Sequence, residues 1–396
     1  MKTLLRTLPV AALFPALTFA VYAPIPEQEQ GKALSYRLGA SAYYDSNIFG
    51  GATDEIDSMV YNFSGAISYN GSVDDQTFAS GSYELSNDYV VDRPGSKNLT
   101  SHNLSARLAH AFAQDTNLDL SGAYSITKNP QSLRATGAPL NTDQSFKRGQ
   151  LDARYTTSAG AKTGVVAKYR FINFAYDSAN LSADLDRSEN LLGLEVNYAY
   201  LPETKLVAEY RYQDIGYDTN APANSKDKTS HYFMGGFDYN PGKQLMVSGR
   251  AGFENRKRDS GSDTTAPYVE LSSRYTYTEG SYLAAGYSYS FEEPSDVDHF
   301  TDAQVNRFFV NLQHQLSGAF TASGSITYEP SQLQARPGNP QGDIDETTTR
   351  LGLALSWRPS KNWTVTGTYD YDDVNSDDVN RGQIRDRLGV SARFTF

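Results

Sequence analysis

The chain has no cysteine in 396 residues. That absence excludes a disulfide scaffold, thiolate chemistry, cysteine metal ligation and a lipidated N-terminal cysteine. Past the first twenty residues, no apolar run is long enough to cross a membrane as a helix. Blocks of Val, Ile and Leu are scarce, whereas a soluble all-β protein needs them for a core shared by two sheets. Histidine is rare and scattered, at His102, His110, His231, His299 and His314. Those positions give no Ser-His-Asp grouping and no metal-ligand spacing. There is also no phosphate-binding loop and no basic nucleic-acid patch. Catalysis is therefore not expected, and neither a cofactor, a metal nor a nucleic-acid partner is.

What is present is aromatic and small: 28 Tyr and 19 Phe beside 31 Gly. Mean hydropathy is only −0.53. Low hydropathy with abundant Tyr and Gly suits strands in which every second residue is apolar. The first residues, Met-Lys-Thr-Leu-Leu-Arg, precede an apolar run from Leu8 to Phe19. A basic start, a short apolar stretch and the small-x-small site Thr18-Phe19-Ala20 form a signal peptide over 1–20, with Val21 as the mature start. Residues 21–33 are too short and polar for a domain, and the barrel-like pattern occupies 34–396.

From Leu34 onward a strand-like segment, a long polar loop, a second segment and a tight turn recur. Tyr36, Leu38, Ala40, Ala42 and Tyr44 share one face, as do Leu192, Leu194, Val196, Tyr198 and Tyr200, and Leu351, Leu353, Leu355 and Trp357. The last nine residues, Leu388–Phe396, alternate in the same way and finish on Phe394 and Phe396. A period of two gives one apolar and one polar face. Tight turns fall near Asp74-Asp75, Gln114-Asp115, Ala159-Gly160, Pro202-Glu203, Pro241-Gly242, Glu279-Gly280, Ser317-Gly318 and Pro359-Ser360. Longer loops lie near 46–58, 92–99, 129–143, 177–187, 218–228, 257–266, 292–303, 331–347 and 372–385. These seventeen connections imply eighteen strands (a range of 16–18) in an all-β, antiparallel up-and-down transmembrane barrel of the bacterial outer membrane. A β-propeller would need a four-strand period without strict face alternation, and a plugged twenty-two-strand transporter needs a longer chain.

The segment Tyr44-Asp45-Ser46-Asn47-Ile48 at the end of the first strand resembles a motif of the β-barrel porin 2 family. Repeated Tyr-x-Tyr strands, such as Tyr210-Arg211-Tyr212 and Tyr287-Ser288-Tyr289, fit the same likeness over about Leu34 to Phe396. The terminal Phe394 and Phe396 resemble the signal read by the barrel-assembly machinery. The family resemblance implies an outer-membrane conduit associated with exopolysaccharide secretion. It transfers no carbohydrate-binding residue, since Tyr44 to Ile48 can equally shape a loop through Asx-type hydrogen bonds.

With the apolar face toward lipid, the opposite face lines the lumen. It carries Arg37, Arg107, Arg154, Arg170, Arg211, Arg250, Arg274, Arg307, Arg350, Arg387 and Arg393, together with Lys168 and Arg256. Acids on it include Glu84, Asp119, Asp152, Glu195, Glu209, Asp238, Glu254 and Glu270. Further acids fall in the expected loops, at Asp54-Glu55, Glu292-Glu293, Asp296, Asp298, Asp343, Asp345-Glu346, Asp372-Asp373 and Asp377-Asp378. The expectation is an arginine-rich wall beneath an acidic rim, and the arginines either contact an anionic exopolysaccharide or pair with wall acids. A general small-solute porin and a structural or adhesive barrel with cation-binding acidic loops are the alternatives. Expected partners are outer-membrane lipid and lipopolysaccharide, the barrel-assembly machinery and separate periplasmic polysaccharide-export proteins.

Overall fold

The computed structural model describes residues 33–128, 145–218, 225–260, 262–294 and 299–396. The signal peptide, nearly all of 21–33, the whole 129–143 loop, and Asp296 and Asp298 lie outside the described residues. Eighteen strands stand in chain order: β1 (Leu34–Asp45), β2 (Ser58–Ser72), β3 (Thr77–Val90), β4 (Asn98–Ala113), β5 (Thr116–Thr127) and β6 (Phe146–Gly160). They continue as β7 (Thr163–Tyr176), β8 (Arg187–Leu201), β9 (Thr204–Tyr217), β10 (Lys228–Tyr239), β11 (Leu245–Arg258) and β12 (Thr264–Thr278). The last six are β13 (Ser281–Glu292), β14 (Phe300–Gln315), β15 (Phe320–Ala335), β16 (Ile344–Trp357), β17 (Trp363–Ser376) and β18 (Gln383–Thr395). One short helix, α1 (Ala179–Leu185), joins β7 to β8. Among the described residues, no helix is long and apolar enough to cross a membrane.

Every strand pairs antiparallel with the next, and β1 pairs with β18 from Arg37↔Thr395 to Asp45↔Arg387. The sheet therefore closes and has no free edge. In hydrocarbon this closure is obligatory, because an unpaired backbone group has no water to bond. With strands about 4.8 Å apart and tilted near 40°, eighteen of them give a backbone diameter of about 35 Å.

The outer face is apolar where a soluble protein would be polar. Phe63 is 64% exposed, Leu194 50% and Leu353 47%, and each sits on the same parity as its strand's other Leu, Tyr and Phe residues. This inverted exposure belongs to a wall that meets lipid. Aromatic rings mark the edge of the band nearest the chain ends: Tyr36 stacks on Phe396 (5.2 Å between centroids), Phe320 on Trp357 (6.2 Å), and Phe394 lies against Trp363 (5.1 Å). The protein is an outer-membrane β-barrel, with both strand termini on the short-turn, periplasmic side. His102, His110, His231 and His314 also lie on this outer face. Each Nδ1 is held 2.8–2.9 Å from a hydroxyl, those of Tyr83, Thr77, Tyr210 and Tyr277 respectively.

Strand ends differ from the sequence expectation. Several strands rise beyond the apolar band, so segments read as loops are ladder. The 331–347 loop contracts to 336–343 and the 372–385 loop to 377–382. Connection 259–263 is no longer than the periplasmic turn at 240–244. Asp372-Asp373, Asp345-Glu346 and Glu292 consequently stand on β17, β16 and β13 and not in solvated loops. Their alternating neighbours are polar on both faces, and polarity alone does not separate such a strand extension from a loop.

At the β10–β11 ladder the wall bends tightly. A Cβ placed on Gly236 would lie 2.0 Å from the Gly249 carbonyl oxygen, and one on Gly252 would lie 1.9 Å from that of Phe233. Only glycine permits the inner faces of these strands to approach so closely.

Replacing Leu194 or Leu353 by Arg should destabilise the barrel by roughly 2–4 kcal/mol near the bilayer midplane. Ser356→Arg, on the inner face, should cost little. Unfolding in lipid vesicles measures both, and equal tolerance at the three positions contradicts the assigned facing. Deleting Phe396 removes the Tyr36 stack and both backbone bonds between Tyr36 and Phe396 (3.0 Å each). The expected outcome is less heat-modifiable, membrane-inserted protein in cells.

Candidate functional site

Among the described residues, charged and hydroxyl side chains gather on the inner wall, because strand parity sends the alternate residue of all eighteen strands into it. All eleven arginines singled out from the sequence sit on this face, but in two different states. Seven are held by acids. Arg107 bonds Asp119 through Nε at 2.8 Å, and Arg170 bonds Asp152. Arg211 bonds Glu209 at 2.8 Å, and Arg250 bonds Asp238 at 2.9 Å. Arg307 lies 2.8 Å from both Glu292 and Glu329, Arg387 lies 2.7 Å from Asp372, and Arg350 sits more loosely between Asp372 (3.8 Å) and Glu329 (3.9 Å). Arg37, Arg154, Arg274 and Arg393 form no ion pair with the described residues. Arg274 instead lies over the Tyr282 ring at 3.9 Å.

Several contacts skip strands and so must run through the interior. Arg211 on β9 donates to Tyr268 (3.2 Å) and Glu270 (3.4 Å) on β12. Asp302 on β14, fully buried, accepts from Lys228 on β10 (3.4 Å) and from Arg256 and Arg258 on β11, the last through Nε at 2.8 Å. Glu293, in the connection after β13, meets Lys228 (2.9 Å), Arg256 (3.4 Å) and the Tyr217 hydroxyl (2.5 Å). Burial opposes its charge, yet Lys228 and Arg256 hold the Glu293 carboxyl below the usual carboxylate range. Asp302 reaches this centre because the β14–β15 register shifts between Phe300 and Asp302, and such a bulge re-aims a side chain.

The extracellular end of the inner face is correspondingly closed in. Ile48 packs with Val60, Val90 and Leu99; Leu181 and Leu185 of α1 pack on Ile215 and Tyr217; Phe300, Val305, Leu333 and Ile344 form a third cluster. The periplasmic half is different. Its inner face carries short hydroxyl side chains, several joined across strands: Ser82 to Ser105 and Ser248 to Ser272 at 2.8 Å, and Ser356 to Thr366 at 3.0 Å. The wall thus has a charge-dense, packed extracellular segment and a periplasmic one lined by hydroxyls, with the pairs Arg107–Asp119 and Arg250–Asp238 set among them.

The segment Tyr44–Ile48 joins the first strand to the last. Asp45 accepts from the Asn47 backbone N–H (3.1 Å), which is an Asx turn, and from Arg385 Nε (2.9 Å). The Asn47 side chain bonds Gly51 in both directions, and Ser46 exchanges bonds with Asp386 at 2.8 and 2.9 Å. Tyr44 points outward and donates to Asp57 (3.2 Å).

Arg385 was not among the residues picked from sequence, although it shares the parity of Arg387 and Arg393. Lys228 and Arg258 fell in segments read as loops, and the inward aim of Asp302 depends on a bulge with no local sequence signature.

No protein-family model matches the sequence, so the resemblance carried by Tyr44–Ile48 stands on those residues alone, and no curated protein matches it either. Among solved structures, OccAB4 of Acinetobacter baumannii is similar with a TM-score of 0.49 and 12% identity over 93% of this chain and 99% of that one. OccAB3 of the same organism gives 0.47 and 10% over 92% and 99%. The siderophore receptor PirA of Pseudomonas aeruginosa gives 0.46 and 10% over 93% and 81%. At such scores nothing about cargo passes from those proteins to this one.

Asp302→Asn leaves Lys228, Arg256 and Arg258 without their shared counter-charge and should destabilise the barrel by about 3–5 kcal/mol. Glu84→Gln, at an inner acid without an ion-pair partner among the described residues, should stay within about 0.5 kcal/mol. Denaturant unfolding of the protein in vesicles checks both.

Proposed function

We propose that this barrel is a channel for a polar solute and that the solute is a secreted polysaccharide. The observation that carries the reading is the hydroxyl-lined periplasmic half of a ring this wide. Serine and threonine rows offer a sugar chain many weak, interchangeable hydrogen bonds, so that no single contact traps it. The paired arginines add little net charge, since each faces a wall acid, in places a shared one such as Glu329 or Asp372. Their part is to stiffen the wall. The resemblance at Tyr44–Ile48 points to the same cargo. Secretion on this route needs separate periplasmic and inner-membrane export partners. Insertion would rest on the barrel-assembly machinery reading Phe394 and Phe396, with lipopolysaccharide as the outer-leaflet neighbour.

General diffusion of small solutes is the second reading, favoured by the same wide ring. Deleting the gene should remove polysaccharide from the cell surface and leave uptake of small sugars and amino acids unchanged. Normal surface polysaccharide with slowed small-solute uptake would favour the diffusion porin.

A further inference from the structure

The four inner arginines that form no ion pair are unequal, and two of them lie side by side. In the β1–β18 ladder Arg37 is level with Thr395 and Arg393 is level with Gly39. The two guanidinium groups therefore stand on adjacent strands, one diagonal apart, on the same inner face and close to the periplasmic mouth. Their surroundings are small: Arg37 is level with Ala66 on β2, Gly39 with Ser64, and Arg393 with Thr364 on β17. The acid facing them, Glu84 on β3, is level with Ala66 and so two strands from Arg37. Both arginines are half-buried, and neither makes a hydrogen bond or ion pair with the described residues.

Like charges placed on a diagonal of one sheet face repel. At most other arginines of this wall, Arg154 and Arg274 excepted, the chain supplies a carboxylate, as at Asp45, Asp119, Asp238 and Asp372. Here it provides hydroxyls and small side chains. Two planar forks separated by small residues fit an oxyanion, which can take paired N–H donors from each.

We infer that Arg37 and Arg393 form a docking site for a carboxylate or phosphate group on a solute arriving from the periplasm. This rests on the conduit reading and adds to it a substrate class and a side of admission: an anionic chain is captured at the inner mouth and passed to the hydroxyl-lined wall. Beyond that wall, paired charges present little net field to slow it.

The test uses the full protein in planar bilayers, in channels of known polarity, with hexagalacturonate as the anionic probe and maltohexaose as the neutral one. Hexagalacturonate added on the periplasmic side should block at about one-tenth of the concentration needed from the extracellular side. The double variant R37Q/R393Q should lose that difference, R37K/R393K should keep most of it, and maltohexaose should behave alike in all three. Equal block of the double variant and the unmodified channel overturns the site. Reversal potentials in a KCl gradient on the same channels test the pair without any polymer, since R37Q/R393Q must shift selectivity toward potassium. An unchanged potential overturns the site, whereas passage of neither sugar together with a shifted potential keeps the site and removes the conduit.

Discussion

The governing constraint is that hydrocarbon offers backbone amides no partner except other backbone. Everything else about the fold follows from meeting it. Strands of 12 to 16 residues pair along their whole length, the connections lie at the two ends, and the last strand must find the first. At its extracellular end that junction is held by Asp45, Ser46, Arg385 and Asp386, and at its periplasmic end by Tyr36 and Phe396. The conspicuous Tyr-Asp-Ser-Asn-Ile segment therefore has a structural task that any barrel of this build would need, whatever passes through it.

The same inside-out arrangement governs the charges. Within the apolar band, lipid confines the ionic residues to the interior, and packing them there is tolerable only in compensated groups. The upper wall solves this with shared partners: Asp302 serves three cations, Glu209 serves Lys168 and Arg211, and Glu329 and Asp372 bracket Arg350. Removing one member therefore affects several neighbours. The lower wall keeps hydroxyl rows, two simple pairs, Arg107–Asp119 and Arg250–Asp238, and arginines with no ion-pair partner among the described residues.

Much of this was legible from residue alternation. Leu194, Leu353 and Phe63 could be assigned outward because a period of two admits only two faces, and the aromatic at 396 belonged at an interface. Arg107 or Arg211 could be placed inward for the same reason. What alternation does not carry is the identity of a partner three or four strands away, so Arg211–Glu270 and Lys228–Asp302 were invisible. Nor does it carry strand length above the membrane, where both faces are polar; Asp372 looked like a loop acid for that reason and is a buried partner of Arg387. The bend at Gly236 and Gly252 was hidden among many glycines whose roles differ only by what a Cβ would strike.

The bond between Asp45 and Arg385 spans 340 positions of sequence. Neighbouring strands can pair as hairpins while the chain is still lengthening, at modest entropic cost for each short turn. The final junction cannot, because until β18 arrives both β1 and β17 expose a full row of unsatisfied amides. An open sheet with two long amphipathic edges is the species most prone to pair with a stranger. Pairing of β18 with β1 removes both edges at once, so the last strand in the sequence is the one that ends the sheet's capacity to join another.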